Sequence, residues 1–214
     1  MISDIECTNY FIKRTNWEKY SEDKYDTQFF IERKDDGEVV IAFLGSNSDV
    51  DWKSNFHFWM KAYNDCEVTM YVHSGFLRCW KSIRRYIESR VKELNPTSIT
   101  VTGHSYGAAI AILCVEDMEF ILPEIPCRCV TFGAPRVLAI FNWKKLKSRW
   151  KTTTQYRNES DFVTCLPFRI MLYRHVGKLI QLGKKFSIFR LNATKSHWVE
   201  NYRKNMEKIE SDRS

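Results

Sequence analysis

Residues 99–113 constrain the fold of this chain more than any other stretch. A β-rich run, 99–102, leads through the turn Gly-His-Ser-Tyr-Gly at 103–107 into an alanine-rich segment typical of a helix. A serine between two glycines on so sharp a turn has a strained backbone, so its neighbours must be small. Its hydroxyl then lies exposed at a helix N-terminus, where backbone N–H groups favour developing negative charge. The pattern indicates a nucleophile at Ser105, and an ordinary Gly-Ser turn is the alternative.

The length and composition are those of a globular protein. The 214 residues suffice for one domain with a full core, and we expect a single domain over 1–214. Hydrophobic residues make up 44% of the chain and charged residues 28%. The longest uncharged apolar stretch, 107–115, is too short to span a bilayer. The first residues lack the basic and apolar regions of a secretory signal.

Cysteine usage predicts a compartment. The seven cysteines cannot all pair with one another, and most lie in apolar runs as small core residues would. Together with the missing secretory signal, this favours a reduced, intracellular and cytoplasmic protein. Peripheral contact with membranes is compatible with that location.

Positive charge is concentrated in one part of the chain. The net charge is +7, and between residues 136 and 190 Lys and Arg far outnumber the acids Glu159 and Asp161. A solvated basic face is one interpretation. Attraction to an anionic surface, either membrane or nucleic acid, is the other. Charge alone does not choose between them.

Strand-like runs alternate with helical patterns, which predicts an α/β fold. Apolar residues recur every three or four positions along 76–94, as on the buried face of a helix. Further helices are expected after Ser105, near 137–147, over 196–208 and, covering the sheet, over 10–20. The predicted strands are 28–32, 39–44, 68–72, 99–102, 129–132, 155–157 and 186–189.

A serine hydroxyl is a weak nucleophile unless a histidine takes its proton. In the chain order Ser, acid, His of α/β-hydrolases the base comes late, which leaves His175 and His197. His197 precedes an amphipathic stretch and lies at a loop-to-helix junction, whereas the apolar run around His175 is typical of a structural residue. His104 adjoins Ser105, and so sharp a turn directs it away from the hydroxyl. These considerations favour His197 as the base.

The acid that orients the histidine should lie between the serine and the base. Asp161 follows the β-rich stretch 152–157 in a loop at a strand end, where an orienting carboxylate belongs. Glu159 is the weaker alternative. A lone Asp in such a loop is often a turn residue, but the serine and the histidine favour the functional interpretation.

Several blocks in a fixed order resemble the class 3 lipases, the branch of the α/β-hydrolases that includes fungal triacylglycerol lipases. Together they cover most of the chain from about residue 39 to 202. The blocks are the oxyanion loop at 40–46, Asp-Trp at 51–52, His-x-Gly-Phe at 73–76, the serine turn at 102–108, Thr-Phe-Gly-Ala-Pro-Arg at 131–136, Asn-x-x-Asp-x-Val at 158–163, Tyr-x-His-x-Gly at 173–177 and the terminal histidine element at 197–202.

The resemblance implies an α/β-hydrolase fold, with a central, mostly parallel mixed sheet flanked by helices. It implies Ser105 as nucleophile, Asp161 as orienting acid and His197 as general base. Ser46 would be an oxyanion donor through its backbone N–H and hydroxyl, with the backbone N–H of Tyr106 as the second donor. No metal or cofactor is needed for this chemistry.

The chain also departs from the family pattern and carries a lid-like segment. Tyr106 stands where leucine is common, so a bulkier side chain lies beside the nucleophile. The resemblance places a lid over the site at about 47–62, a segment rich in aromatic residues that would insert into a lipid interface. The alternative for Trp52 and Phe56 is that both simply pack into the core.

Two functions of different classes follow. The first is a serine hydrolase that cleaves carboxylic esters of lipids, acylglycerols or phospholipids, through an acyl-enzyme intermediate. Its partners would be the lipid ester and the surface of a membrane or lipid droplet. The second is a catalytically silent, lipase-like module that binds membranes or a protein. Nucleic acid is not expected as a partner, because only the net charge favours it.

Overall fold

The computed structural model describes residues 1–20, 25, 27–45, 59–65, 68–141, 143–146, 149–184, 187 and 193–212. The strands are β1 (Glu18–Lys19), β2 (Gln28–Arg33), β3 (Glu38–Phe43), β4 (Met60–Tyr63), β5 (Met70–His73), β6 (Ser98–His104), β7 (Cys127–Phe132), β8 (Leu138–Ala139), β9 (Thr153–Asn158), β10 (Tyr173–Arg174) and β11 (Lys178–Leu182). The helices are α1 (Asp4–Ile12), α2 (Ser74–Glu93), α3 (Tyr106–Ile121), α4 (Trp143–Leu146), α5 (Ala193–His197) and α6 (Val199–Ser211).

Seven strands form the main sheet, in the order β1-β2-β3-β6-β7-β9-β11. The pairs from β3 through to β11 are parallel, and β1 and β2 add an antiparallel edge. This mixed, mostly parallel sheet with flanking helices confirms the predicted α/β-hydrolase fold. The carboxyl ends of its parallel strands meet at one edge, where α/β folds place their sites.

Alternation along the central strands explains how both faces of the sheet are covered. β3 is buried along its whole length, as expected of a strand between two helical layers. Val39, Ile41 and Phe43 join the core beneath α2 and α3. Val40 and Ala42 point to the other face and pack with Tyr10 of α1. The helices therefore lie on both faces, as the fold class requires.

A second, smaller sheet has the strand order β10-β8-β5-β4, and its pairs are antiparallel. It leads directly into α2, because His73, the last residue of β5, is the N-cap of that helix. The Nδ1 atom of His73 accepts hydrogen bonds from the backbone N–H groups of Gly75 and Phe76.

The structure corrects some predicted elements. The first helix covers Asp4–Ile12 rather than 10–20, because Ser3 and Glu6 form a capping box that starts it earlier. The region 137–147 contains β8 before the short α4, and the predicted terminal helix is divided into α5 and α6. The predicted strand 186–189 lies outside the described residues apart from Ser187. Within the described part of the chain, no helix is long and apolar enough to cross a membrane.

A buried carboxylate connects the small sheet to two helices that pack on the main sheet. Asp117 of α3 is fully buried and accepts hydrogen bonds from the Tyr63 hydroxyl (2.6 Å to Oδ1) and the Trp80 indole (2.6 Å to Oδ2). The Nε atom of Arg84 lies 2.9 Å from the same carboxylate. Asp117 therefore connects β4 of the small sheet to α2 and α3, the helices that pack on one face of the main sheet.

We expect Asp117→Ala to lower the free energy of unfolding by about 3–5 kcal/mol, since it removes the acceptor of two buried donors, the Tyr63 hydroxyl and the Trp80 indole, at about 1–3 kcal/mol each. Urea denaturation followed by tryptophan fluorescence measures the loss. Asp65→Ala is the matched control: Asp65 also pairs with Arg84, but at the surface, and should cost about 1 kcal/mol or less. Equal losses in the two variants would contradict the role given to Asp117.

Candidate active site

Ser105 occupies the turn between β6 and α3. Its backbone has φ +56° and ψ −124°, outside the regions that L-residues normally adopt. Its N–H donates to the carbonyl of Phe132 at the end of β7 (3.0 Å), which holds the turn against the sheet. The predicted strand, turn and helix around Ser105 are thus present.

The glycines on either side of Ser105 are required by close backbone packing. A Cβ atom on Gly103 would overlap the carbonyl of Gly107, and one on Gly107 would overlap the carbonyl of Phe43 in β3. Any larger residue at 103 or 107 would push α3 away from the sheet.

Ser105, His197 and Asp161 lie in one hydrogen-bonded line. The Nε2 atom of His197 is 2.7 Å from Ser105 Oγ, and its Nδ1 atom is 2.7 Å from Asp161 Oδ2. Because a carboxylate only accepts, Nδ1 carries the proton and Nε2 accepts from the serine hydroxyl. This arrangement can take a proton from the serine and stabilise the resulting imidazolium.

Asp161 is fully buried and its carboxylate has further donors. The backbone N–H of Val163 donates to Oδ1 (3.0 Å), and the hydroxyl of Tyr202 donates to Oδ2 (2.5 Å). Burial, and secondly the charge of Asp161, raise the pKa of Tyr202 well above 10, so the phenol stays a donor. The carboxylate is therefore held in the orientation that His197 requires.

Side-chain donors to three successive carbonyls fix the backbone that carries His197. The side chain of Asn201 donates to Lys195 O (2.6 Å), and that of Asn158 donates to Ser196 O (3.0 Å). The third carbonyl, of His197 itself, is 2.7 Å from Nε2 of His104. These donors come from α6, β9 and β6, so the position of the base depends on three separate elements.

His104 faces the base rather than the serine hydroxyl. Since a carbonyl only accepts, the Nε2 atom of His104 carries the proton that bonds to His197. Burial, and secondly the neighbouring His197, lower the pKa of His104 to about 4. A neutral His104 therefore positions His197 without adding a positive charge beside it.

Gly133 makes room for the His–Asp pair. It follows β7 with φ +64°, and a Cβ atom there would lie 2.8 Å from Cε1 of His197 and 3.0 Å from Oδ2 of Asp161. Real Cβ atoms essentially do not approach so closely. Glycine at this position is thus a steric requirement of the site.

The alternative acid and base lie elsewhere. The ring nitrogens of His175 are 2.9 Å from the side-chain oxygen of Gln155 and 2.9 Å from the carbonyl of Thr164, which is a structural environment. Burial lowers the pKa of His175 to about 4. The side chain of Glu159 lies against Gly183. Among the described residues, no group of three or more His, Cys, Asp or Glu is placed to hold a metal.

The predicted oxyanion residues are only partly described. Ser46 lies outside the described residues, as do 47–58 of the lid-like segment, while Met60–Tyr63 forms β4. Gly45, just before Ser46, is close enough that a Cβ atom on it would lie 3.0 Å from that of Ser105. Tyr106 begins α3, and its hydroxyl donates to the thiol of Cys79. Its ring packs edge-on to Phe76, with the ring centroids 5.4 Å apart.

Sequence reasoning missed the roles of His104, Gly133 and Tyr202. All three belong to the motif blocks, so their positions were marked but their contacts were not. Gly133 carried a usable signal, because a glycine directly after a strand that ends at the site indicates a close approach. The bond from Tyr202 to Asp161 joins residues 41 positions apart and has no local pattern.

Comparison with known proteins identifies the family. The sequence model of Lipase (class 3) matches residues 40–171, more than half of the chain. The chain belongs to the class 3 lipase family. The resemblance found in the motif blocks is therefore confirmed.

Relatives of this class 3 lipase come from fungi and plants. A secreted mono- and diacylglycerol lipase of Fusarium solani is 32% identical over 148 residues, covering 65% of this chain and 42% of the relative. A lipase of Rhizomucor miehei is 31% identical over 167 residues, covering 72% and 44%. A chloroplastic phospholipase A(1) of Arabidopsis thaliana is 28% identical over 150 residues, covering 61% and 34%. The chain thus spans less than half the length of these relatives.

The fold agrees with a solved structure of the same family. The structure of Rhizomucor miehei triacylglyceride lipase matches with a TM-score of 0.70 and 26% sequence identity, over 78% of this chain and 66% of that one.

The expected cytoplasmic location is wrong. Relatives from Fusarium solani and Malassezia globosa are named secreted lipases, which points to an extracellular protein. The cysteines misled the prediction. Five of the six described ones are buried, so they behave as small core residues and say little about redox compartment. Burial also raises the pKa of the Cys7 thiol to about 12, which keeps it unreactive.

The contact from His104 predicts a positioning effect. We expect His104→Leu to slow covalent labelling of Ser105 by a fluorophosphonate by about 5- to 150-fold, since a buried carbonyl loses its donor at a cost of about 1–3 kcal/mol. His104→Gln, which keeps an N–H donor, should recover a large part of the rate. Stopped-flow labelling measures both. Equal loss in the Leu and Gln variants would contradict a role through this hydrogen bond.

Buried histidines predict acid sensitivity. Burial lowers the pKa of His73, His104 and His175 from 6.5 to about 4. Between these values the unfolded chain binds protons that the folded chain does not, so stability should fall as pH drops from 6.5 towards 4. His73→Asn keeps the helix cap and should reduce this fall by on the order of 3 kcal/mol. Urea denaturation at several pH values measures it, and an unchanged pH dependence would contradict the prediction.

Proposed function

We propose that this chain is a serine hydrolase that cleaves carboxylic esters of lipids through an acyl-enzyme on Ser105. The line of hydrogen bonds from Ser105 through His197 to Asp161 carries the proposal, because each distance is 2.7 Å. Membership in the class 3 lipase family supports the same chemistry. The buried, fully hydrogen-bonded Asp161 favours an active site over a silent remnant.

The proton moves as the bonds change. His197 Nε2 takes the hydroxyl proton while Ser105 Oγ attacks the ester carbonyl and a tetrahedral intermediate forms. The intermediate expels the alcohol, which takes the proton from His197, and the acyl group stays on Ser105. Water then gives a proton to His197 and attacks the acyl carbon. Release of the fatty acid returns that proton to Ser105 Oγ, and the cycle closes.

The negative charge of the intermediate needs donors. We assign this role to the backbone N–H of Tyr106 and to the backbone N–H and hydroxyl of Ser46. Tyr106 is the first residue of α3, whose positive dipole end favours an anion. The proximity of Gly45 to Ser105 supports the placement of the following residue, Ser46, near the carbonyl. One such donor lowers the activation barrier of acyl transfer by about 3 kcal/mol.

The names of the relatives suggest acylglycerols and phospholipids as substrates. They include mono- and diacylglycerol lipases and a phospholipase A(1). Such esters are held in membranes or droplets, so the protein would contact a lipid surface peripherally. We propose a single domain over 1–214 in which the lid-like segment at about 47–62, largely outside the described residues, would uncover the site when the lipid surface is engaged.

The test is fatty-acid release from triolein, monoolein and phosphatidylcholine. We expect release from at least one ester by the parent chain and a loss of about 10⁴-fold or more in Ser105→Ala, because the nucleophile is gone. Ser98→Ala is the matched control, since Ser98 lies at the opposite end of β6 and should leave the rate unchanged.

Fluorophosphonate labelling separates the two function classes. A hydrolase should be labelled at Ser105 in the parent and Ser98→Ala proteins but not in Ser105→Ala. If the parent chain is neither labelled nor active on any of the three esters, the hydrolase proposal fails and the silent membrane- or protein-binding module replaces it.

A further inference from the structure

A short turn between Pro167 and β10 exposes an unusual amount of apolar surface. Four of its five residues are large and hydrophobic, and three of these are exposed: Ile170 is 89% exposed, Phe168 45% and Leu172 40%. Single exposed apolar side chains are common, but a cluster of them marks a surface that contacts something else. We call residues 168–172 the apolar turn.

The apolar turn connects to other exposed rings. The N–H of Ile140 donates to the carbonyl of Leu172 (2.9 Å), which places the end of β8 beside the turn. Phe141, the next residue, is exposed, and its ring centroid is 5.5 Å from that of Tyr71 on the small sheet. The apolar surface therefore extends from the turn onto the small sheet.

The turn also adjoins the proposed active site. The ring of Phe168 packs edge-on against that of Phe162, with the centroids 6.0 Å apart. Phe162 directly follows Asp161 in the chain. A surface bound by the turn would thus lie near the acid of the triad.

Two arginines hold the turn in place. The guanidinium of Arg136 is largely buried and donates to the carbonyls of Cys165 and Pro167 (2.8 Å to the latter). Arg174 donates to the carbonyls of Arg169 (3.0 Å) and Tyr173 (2.8 Å). The apolar side chains are consequently presented on an ordered backbone, so little conformational entropy remains to be lost on binding.

Positive charge surrounds the turn. Burial lowers the pKa of Arg136, and the positive charges of Arg169, Arg157 and Arg174 lower it further. Within the described ranges no carboxylate forms an ion pair with Arg169 or Arg174. An apolar protrusion ringed by cations matches the boundary between acyl chains and anionic headgroups.

We propose that the apolar turn is a lipid-surface anchor: Phe168, Ile170 and Leu172 enter the acyl region, while Arg169 and Arg174 bind anionic headgroups. This inference deepens the proposed function, since it names the surface through which a lipid ester would be reached. A protein partner is disfavoured, because Arg169 and Arg174 adjoin the exposed apolar cluster without an ion pair to any described carboxylate, an arrangement that favours anionic headgroups.

The test measures binding of the Ser105→Ala chain to vesicles of phosphatidylcholine with and without phosphatidylglycerol, by co-sedimentation. We expect tighter binding to the anionic vesicles, weakened by salt. Ile170→Glu, which places a carboxylate at the anchor, should weaken binding to both vesicles by about tenfold or more. Arg169→Gln should reduce the preference for phosphatidylglycerol and leave binding to phosphatidylcholine largely intact.

Phe120→Glu is the matched control. Phe120 is 47% exposed but lies near the far end of α3, roughly 20 Å along the helix axis from Ser105. The Phe120→Glu variant should bind vesicles as tightly as its parent, the Ser105→Ala chain. Thermal melts of each variant check that folding is intact. Equal binding by the Ile170→Glu variant and its parent, or equal losses in Ile170→Glu and Phe120→Glu, would overturn the anchor.

The result is independent of catalysis, because every protein in the binding test lacks the serine nucleophile. Hydrolysis of a soluble short-chain ester by the parent chain is measured separately. Vesicle binding through the turn without any hydrolysis would retain the anchor and remove the proposed function. Hydrolysis together with full binding by the Ile170→Glu variant would do the reverse.

Discussion

Three pieces of backbone meet at the turn that carries Ser105: the end of β3, the end of β6 and the first turn of α3. They approach so closely that Gly103 and Gly107 leave no space for a Cβ atom. The turn holds Ser105 at φ +56°, a conformation that costs on the order of 1–3 kcal/mol. The packing and hydrogen bonding of the buried central strands offset that cost, because relaxing the turn would disrupt the parallel pairing of β3 with β6. The position of the hydroxyl is therefore a property of the whole sheet.

The His–Asp part of the site follows from the same geometry. β7 and β9 are parallel to β6, so their carboxyl ends reach the same edge and place Gly133 and Asp161 next to the serine turn. His197 differs, because it lies on a short helix after the last strand. Its position depends on side-chain donors to carbonyls 195–197, and His104 connects one of those carbonyls to the serine turn itself. The proposed nucleophile and the proposed base are thus held by the same turn.

The sequence could predict the parts of this arrangement that leave a local pattern. The strand, turn and helix around Ser105 have distinct periodicities and turn residues, and the order of the motif blocks marks Asp161 and His197. The first helix was misplaced because the capping pair Ser3 and Glu6 outweighs the apolar residues further along. Contacts between distant positions, such as Tyr202 with Asp161, depend on packing that no local pattern encodes. The cysteine count did not predict the compartment for a related reason: the chemistry of a thiol depends on its burial, which the count does not give.

The basic region illustrates how a structure changes the meaning of a composition. Along the sequence, the positive charges between 136 and 190 fit a solvated face as well as a binding surface. In the fold these charges have different environments. Arg136 is buried and donates to the carbonyl of Pro167, Arg149 pairs with the buried Glu116, and Arg169 lies exposed in the apolar turn. Only the last kind can meet an anionic ligand. A protein that attracts lipid through net charge alone would bind anywhere on its surface. The proposed anchor, in which Arg169 is exposed within an apolar turn close to Asp161, would restrict binding to one orientation, with the site facing the lipid.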